Sequence, residues 1–184
     1  MGLLQIIRKQ KIKDQEIRIL VLGLDNAGKT TVINSWMGRD LVNVAPTMGF
    51  QIHTFPWRGY SVNVWDVGGQ SSLRAFWGNY FDKLDVVLWV IDAVSSLKLQ
   101  ELYQELRDKV IRKDQLKGTL FVVLVNKIDL LSAEKRLSVC DAVVDALRLE
   151  QELSATKYVV LPVLGRTGEG LEAAMDWIVD HMEL

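Results

Sequence analysis

The chain has 184 residues, 49% of them hydrophobic and 24% charged, a composition that suits one globular domain large enough to close a core. A net charge of −1 gives no electrostatic footprint for nucleic acid, and the single cysteine, Cys140, cannot form an internal disulfide. No stretch approaches the roughly 20 apolar residues that cross a bilayer and no signal-peptide pattern opens the chain, so the reducing cytoplasm is the expected compartment.

Leu3, Leu4, Ile6 and Ile7 precede Arg8, Lys9, Lys11 and Lys13, so residues 1–16 are expected to form a basic amphipathic helix. Two uses fit such a helix. It can pack into a groove of its own domain, or lie on an anionic membrane, where a short helix without a lipid binds only weakly. Ile6 stands where the N-myristoylation pattern needs Ser or Thr, which argues against efficient acylation of Gly2. The apolar run 17–22 predicts a first strand. It leads into Gly23-Leu24-Asp25-Asn26-Ala27-Gly28-Lys29-Thr30, followed by Thr31 and a further apolar stretch. Residues 23–30 are a complete G-x-x-x-x-G-K-[ST] phosphate loop in the strand–loop–helix context that the motif requires. Inward-facing N–H groups and the helix dipole hold an anion in such a loop. Lys29 is expected to reach the outer phosphates, and the Thr30 hydroxyl to ligate Mg²⁺.

Further along, Thr47 in Pro46-Thr47-Met48-Gly49-Phe50 is placed to complete Mg²⁺ coordination when a third phosphate is present. Residues 50–57 and 60–65 flank Arg58-Gly59 and predict an antiparallel hairpin. In the Trp65-Asp66-Val67-Gly68-Gly69-Gln70 stretch that closes it, Asp66 is expected to hold Mg²⁺ through a water. Gly69 is expected to offer its N–H to the third phosphate, and Gln70 to orient an attacking water. The continuous apolar runs 86–91 and 120–125 suit strands buried on both faces of a parallel sheet. A last strand is expected over 159–163, at an edge because of Pro162. Helical periodicity covers 98–113, 134–149 and 170–183. The fold class is therefore α/β: a doubly wound, six-stranded, mostly parallel sheet with one antiparallel strand and helices on both faces. Its ligand belongs at the carboxyl ends of the strands.

Asn126-Lys127-Ile128-Asp129 follows the strongest apolar run. A carboxylate at Asp129 can accept from both guanine N1–H and its 2-amino group, a donor pair that adenine lacks. Sites built on such pairing discriminate by roughly 10⁴–10⁵.

Together G-L-D-N-A-G-K-T-T, P-T-M-G-F, W-D-V-G-G-Q and N-K-I-D resemble the ADP-ribosylation-factor family of small GTPases and its ARF-like branch, over nearly the whole chain. The resemblance implies a P-loop GTPase fold, GTP/GDP and Mg²⁺ as cofactors, and three kinds of partner: an exchange factor, a GTPase-activating protein and effectors. Phe50, Trp65 and Tyr80 match the aromatic triad through which the family contacts effectors. Residues 17–184 would be the GTP-binding domain, and 1–16 a helix expelled from its groove when the third phosphate shifts the hairpin. Residues 1–11 are most similar to ARF-like proteins that act with tubulin-folding cofactors. That similarity implies tubulin folding and microtubule biogenesis, with a cytoplasmic, microtubule-associated location. One stretch departs from the family pattern. Leu164-Gly165-Arg166-Thr167-Gly168 replaces the usual Cys/Ser-Ala-x base-binding loop. Gly165 can still donate its N–H to the guanine O6, but Leu164 is expected to loosen the loop and weaken nucleotide affinity.

Slow intrinsic hydrolysis is expected because no arginine near Thr47 or Gln70 is placed to neutralise developing charge; Arg74 reads as a brace. An arginine supplied in trans by the activating protein adds roughly 10³–10⁵ in rate. Three alternatives remain at this level: a nucleotide-binding adaptor without turnover, an ARF-like regulator of membrane or lipidated-cargo traffic, and a P-loop metabolite kinase. Gln70 argues against the adaptor, and the lack of an arginine-rich lid against the kinase.

Overall fold

Ile17, Ile19 and Val21 alternate with Leu20 and Leu22 along β1 (Glu16–Leu22), and all five are buried, so this strand is covered on both faces. The computed structural model describes residues 2, 3, 6, 15–82, 84–95 and 99–182. Most of the helix expected over 1–16 lies outside the described residues. After β1 the chain forms α1 (Lys29–Trp36), β2 (Phe50–Trp57) and β3 (Tyr60–Val67), then a 3₁₀ segment, Arg74–Tyr80. It continues through β4 (Val86–Asp92), α2 (Leu99–Leu106), β5 (Leu120–Asn126) and α3 (Ala133–Ala146). A one-turn helix α4 (Leu149–Glu152), β6 (Tyr158–Pro162) and α5 (Leu171–Met182) complete it.

Among the described residues, six strands form one sheet in the order β2-β3-β1-β4-β5-β6, in which β2 and β3 pair antiparallel and the other neighbours parallel. The fold class expected from the sequence is the one observed. Arg58 and Gly59 both take positive φ, 44° and 83°, the backbone that a two-residue hairpin turn needs. Ladder pairing of Val67 with Phe50 carries β3 two residues beyond the expected end at Trp65, so Asp66 sits within the strand. Pro162 closes β6 at the sheet edge, where a missing N–H costs no ladder bond.

Each face of the sheet has its own core. On one, Ile19, Val21, Leu88 and Val90 meet Val32 and Ile33 of α1 and Met175 and Ile178 of α5. On the other, Leu20, Leu22, Trp89 and Ile91 meet Leu102 and Leu106 of α2 and Val143 of α3. The three- and four-residue spacing read in α5 is what buries Leu171, Met175 and Ile178 together. The helix expected over 134–149 breaks instead at Arg148, whose φ of 50° is left-handed; α4 begins one residue later. The pattern over 98–113 leaves the α form at Arg107 and finishes in a π turn, Arg107–Ile111.

Candidate functional site

The cleft lies at the carboxyl ends of β1 and β3, a volume of about 200 Å³. One wall is the phosphate loop with the start of α1 (residues 25, 26 and 28–31); the facing wall is Ala45-Pro46-Thr47 with Gly68 and Gly69. Lys127 closes one end. Gly28 takes φ 96°, and a side chain there would collide with Asn126 Nδ2, so both backbone and space demand glycine. The first N–H groups of α1 receive no side-chain cap, which leaves them for a ligand.

Lys29 is buried, and its Nζ donates to the carbonyls of Gly23 (3.1 Å) and Leu24 (3.0 Å). Burial pushes its pKa down from 10.5 to about 8, against the pull of the Asp66 and Asp25 carboxylates; nearby Arg74 lowers it further. An anion entering beside this amine would favour its charged form. Gly69 packs directly on this loop: a methyl group there would strike the Gly23 carbonyl and Lys29 Nζ.

Thr30, Thr47 and Asp66 converge from three separate elements. Thr30 Oγ1 donates to Asp66 Oδ2 at 2.6 Å, Thr47 Oγ1 donates to the same oxygen at 2.9 Å, and the two hydroxyls lie 2.7 Å apart. Asp66 is fully buried, and its Oδ1 has no hydrogen-bond partner among the described residues. An orphaned buried carboxylate oxygen costs free energy that a hard cation or its water shell would recover. The donor set fits Mg²⁺.

Asn126 ties three loops together. Its Nδ2 donates to the Ala27 carbonyl (3.0 Å), and its Oδ1 accepts from the Gly165 N–H (2.9 Å). Lys127, at φ 65°, donates from Nζ to the Asn26 carbonyl (2.6 Å) and pairs with Asp92 (2.8 Å). Asp129 is exposed just beyond, its carbonyl held by Arg136 of α3 at 3.0 Å. The Gly165 N–H is therefore engaged by Asn126 in this structure. The loop at Leu164, expected to loosen, is closed by backbone bonds. Leu164 N–H donates to the Glu169 carbonyl (3.0 Å), and the Leu164 carbonyl accepts from Gly168 (2.9 Å).

Gln70 lies at the rim, with Nε2 4.0 Å from Met48 Sδ, rather than in the cleft lining. Phe50, Trp65 and Tyr80 come together as the sequence implied, with Tyr80 5.3 Å from Phe50 and 5.8 Å from Trp65 between ring centres. Around them Met48, Ile52 and Phe76 are exposed. Arg74, expected as a brace, opens the Arg74–Tyr80 segment, and its Nε donates to the Gly69 carbonyl at 3.2 Å; the sequence carried no sign of that partner.

A phosphate loop at the switch of a doubly wound sheet, facing a buried carboxylate and two threonines, defines a P-loop nucleotide-binding protein. The family model of the ADP-ribosylation factor family matches residues 3–182. ADP-ribosylation factor-like protein 2 of Dictyostelium discoideum is 40% identical over 97% of this chain and 94% of its own. That of Drosophila melanogaster has the same figures, and ADP-ribosylation factor-like protein alp41 of Schizosaccharomyces pombe is 36% identical over 100% and 95%. The Arl6 BBS3 small GTPase of Trypanosoma brucei, solved with the nucleotide analogue GppNp, superposes with a TM-score of 0.79 over 91% of this chain and 98% of its own. At 24% identity that likeness speaks for the fold. The chain belongs to the ADP-ribosylation factor family, in its ARF-like branch. It is a small GTPase: a GTP-binding switch that hydrolyses GTP and, as the family does, works with exchange factors, activating proteins and effectors. No helix among the described residues is long and apolar enough to cross a membrane.

Proposed function

We propose that this GTPase is a switch in tubulin folding and microtubule biogenesis, acting in the cytoplasm at microtubules. Residues 17–184 form its GTP-binding domain, preceded by the N-terminal segment 1–16. The tubulin role is supported by the similarity of residues 1–11 to ARF-like proteins that act with tubulin-folding cofactors. Full-length similarity to ADP-ribosylation factor-like protein 2 points the same way. The observation that carries the switch is the meeting of Thr47 with Thr30 and Asp66 at 2.7 and 2.9 Å. Thr47 stands three residues before β2, so whatever binds this cluster acts on the hairpin and on the Phe50–Trp65–Tyr80 face.

Residues 23–31 bind the phosphates. Asn126, Lys127, Asp129, Leu164 and Gly165 form the base site, with the Asp129 carboxylate reading guanine. Thr30, Thr47 and, through a water, Asp66 would hold Mg²⁺, which would offset negative charge on the phosphate oxygens. The Gly69 N–H meets the third phosphate. Gln70, turned inward from Met48, orients the water that attacks the γ-phosphorus as its bond to the bridging oxygen breaks. Arg74 is held by Gly69 and Glu101, so the charge-neutralising arginine comes in trans from the activating protein. Capture experiments with GDP-loaded and GTP-analogue-loaded protein test the proposal. Preferential recovery of tubulin-folding cofactors by one loaded form supports it; equal recovery by both, or none by either, contradicts it.

A further inference from the structure

A trans peptide carries its C=O and N–H on opposite edges, so whatever holds the carbonyl sets where the amide points. Two consecutive planes matter at the end of β3. The Gly68–Gly69 plane carries the Gly69 N–H, and the Gly69–Gln70 plane carries the Gln70 N–H and sets where the Gln70 side chain leaves the backbone. Both carbonyls are held from the same 3₁₀ segment: Trp77 Nε1 donates to Gly68 O at 3.4 Å, and Arg74 Nε donates to Gly69 O at 3.2 Å. Trp77 is fully buried and packs edge-on against Trp89 of β4 at 5.5 Å. Arg74 is buried as well, and its Nη1 meets Glu101 of α2 at 2.7 Å and Glu105 at 3.6 Å. The guanidinium thus uses one edge on the loop and the other on α2. Lysine, a point charge, cannot make that double contact.

We infer that Arg74 is a positioning residue for GTP hydrolysis: anchored by Glu101 and Glu105, it fixes the Gly69–Gln70 peptide so that Gln70 meets the attacking water, while Trp77 holds the plane that carries the Gly69 N–H toward the third phosphate. The inference rests on the roles given above to Gly69 and Gln70. It also makes α2 a lever on the loop, since Glu101 is half exposed and open to a partner that would draw it away.

Single-turnover hydrolysis of preloaded GTP, together with GDP and GTP-analogue affinities, tests this in the full-length protein and four variants: Arg74→Gln, Arg74→Lys, Glu101→Gln and Gln70→Leu. Arg74→Gln should slow hydrolysis at least about tenfold, and Arg74→Lys nearly as much. Glu101→Gln, at an accessible position that does not threaten the fold, should slow it about threefold. GDP and GTP-analogue affinities should be little changed in Arg74→Gln, because the Gly69 N–H lies on the peptide whose carbonyl Trp77 holds. A purely structural arginine would lower the melting temperature and both affinities together, without a selective loss of hydrolysis rate. Hydrolysis within twofold of wild type in Arg74→Gln and Glu101→Gln, with Gln70→Leu slow, overturns the inference and spares the Gln70 assignment. A fast Gln70→Leu overturns both. If Arg74→Gln does not fold, the Glu101→Gln rate decides.

Discussion

Raising the pH should weaken nucleotide binding through Lys29, and the structure sets the size of the effect. The free protein holds this amine at about 8, whereas two or more phosphate oxygens beside it would restore its charge. Binding above pH 8 therefore takes up a proton, so affinity must fall as pH rises. At pH 9 about one molecule in ten carries the charged amine, against about nine in ten at pH 7, so GDP affinity should drop about tenfold, or ~1.4 kcal/mol. Equilibrium titration with a fluorescent GDP at pH 7, 8 and 9 measures it. Lys29→Arg is the control, because arginine stays charged throughout and any residual slope belongs to the nucleotide. A wild-type profile parallel to that of Lys29→Arg would refute the reasoning.

Three substitutions examine the other parts of the site. Asp129→Asn should exchange guanine preference for xanthine, because an amide can donate to the xanthine 2-oxygen; competition of GDP with XDP shows it, and an unchanged margin removes Asp129 as base reader. Thr30→Asn should cost GTP more affinity than GDP in the presence of Mg²⁺, since its hydroxyl meets both Thr47 and Asp66. Titration with both nucleotides checks this, and equal losses argue against Thr30 as a metal ligand. Gln70→Leu should preserve folding and nucleotide binding yet cut activator-stimulated hydrolysis at least about tenfold, ~1.4 kcal/mol of transition-state stabilisation. Stimulated rates within twofold of wild type would remove Gln70 from the mechanism.

Chemistry at fixed short spacing was legible before the fold. The phosphate loop, the buried runs that became β4 and β5, the Arg58-Gly59 turn and the edge position of Pro162 all follow from neighbours in sequence. What the sequence hid is contact across distance. Trp36 Nε1 donates to the Leu171 carbonyl 135 residues away, and Asn126 reaches Ala27 across 99. The sequence reading made Arg74 a brace, but its anchors on Gly69 and Glu101 depend on a 3₁₀ turn that carries no apolar period. Arg148 belongs to the same class, for its left-handed backbone breaks a helix that composition alone would continue. Leu164 shows the reverse: its side chain departs from the family pattern, while the backbone bonds that close its loop depend on no side chain.

A third phosphate at the Thr30–Thr47–Asp66 cluster is expected to reorganise the hairpin and its aromatic face. Hydrogen–deuterium exchange over residues 44–70, in GDP-loaded and GTP-analogue-loaded protein, tests it most directly. Greater protection of the Thr47–Gly49 and Gly69–Gln70 amides is expected with the GTP analogue, together with altered exchange along β2. Identical exchange in the two states across this whole stretch would contradict it.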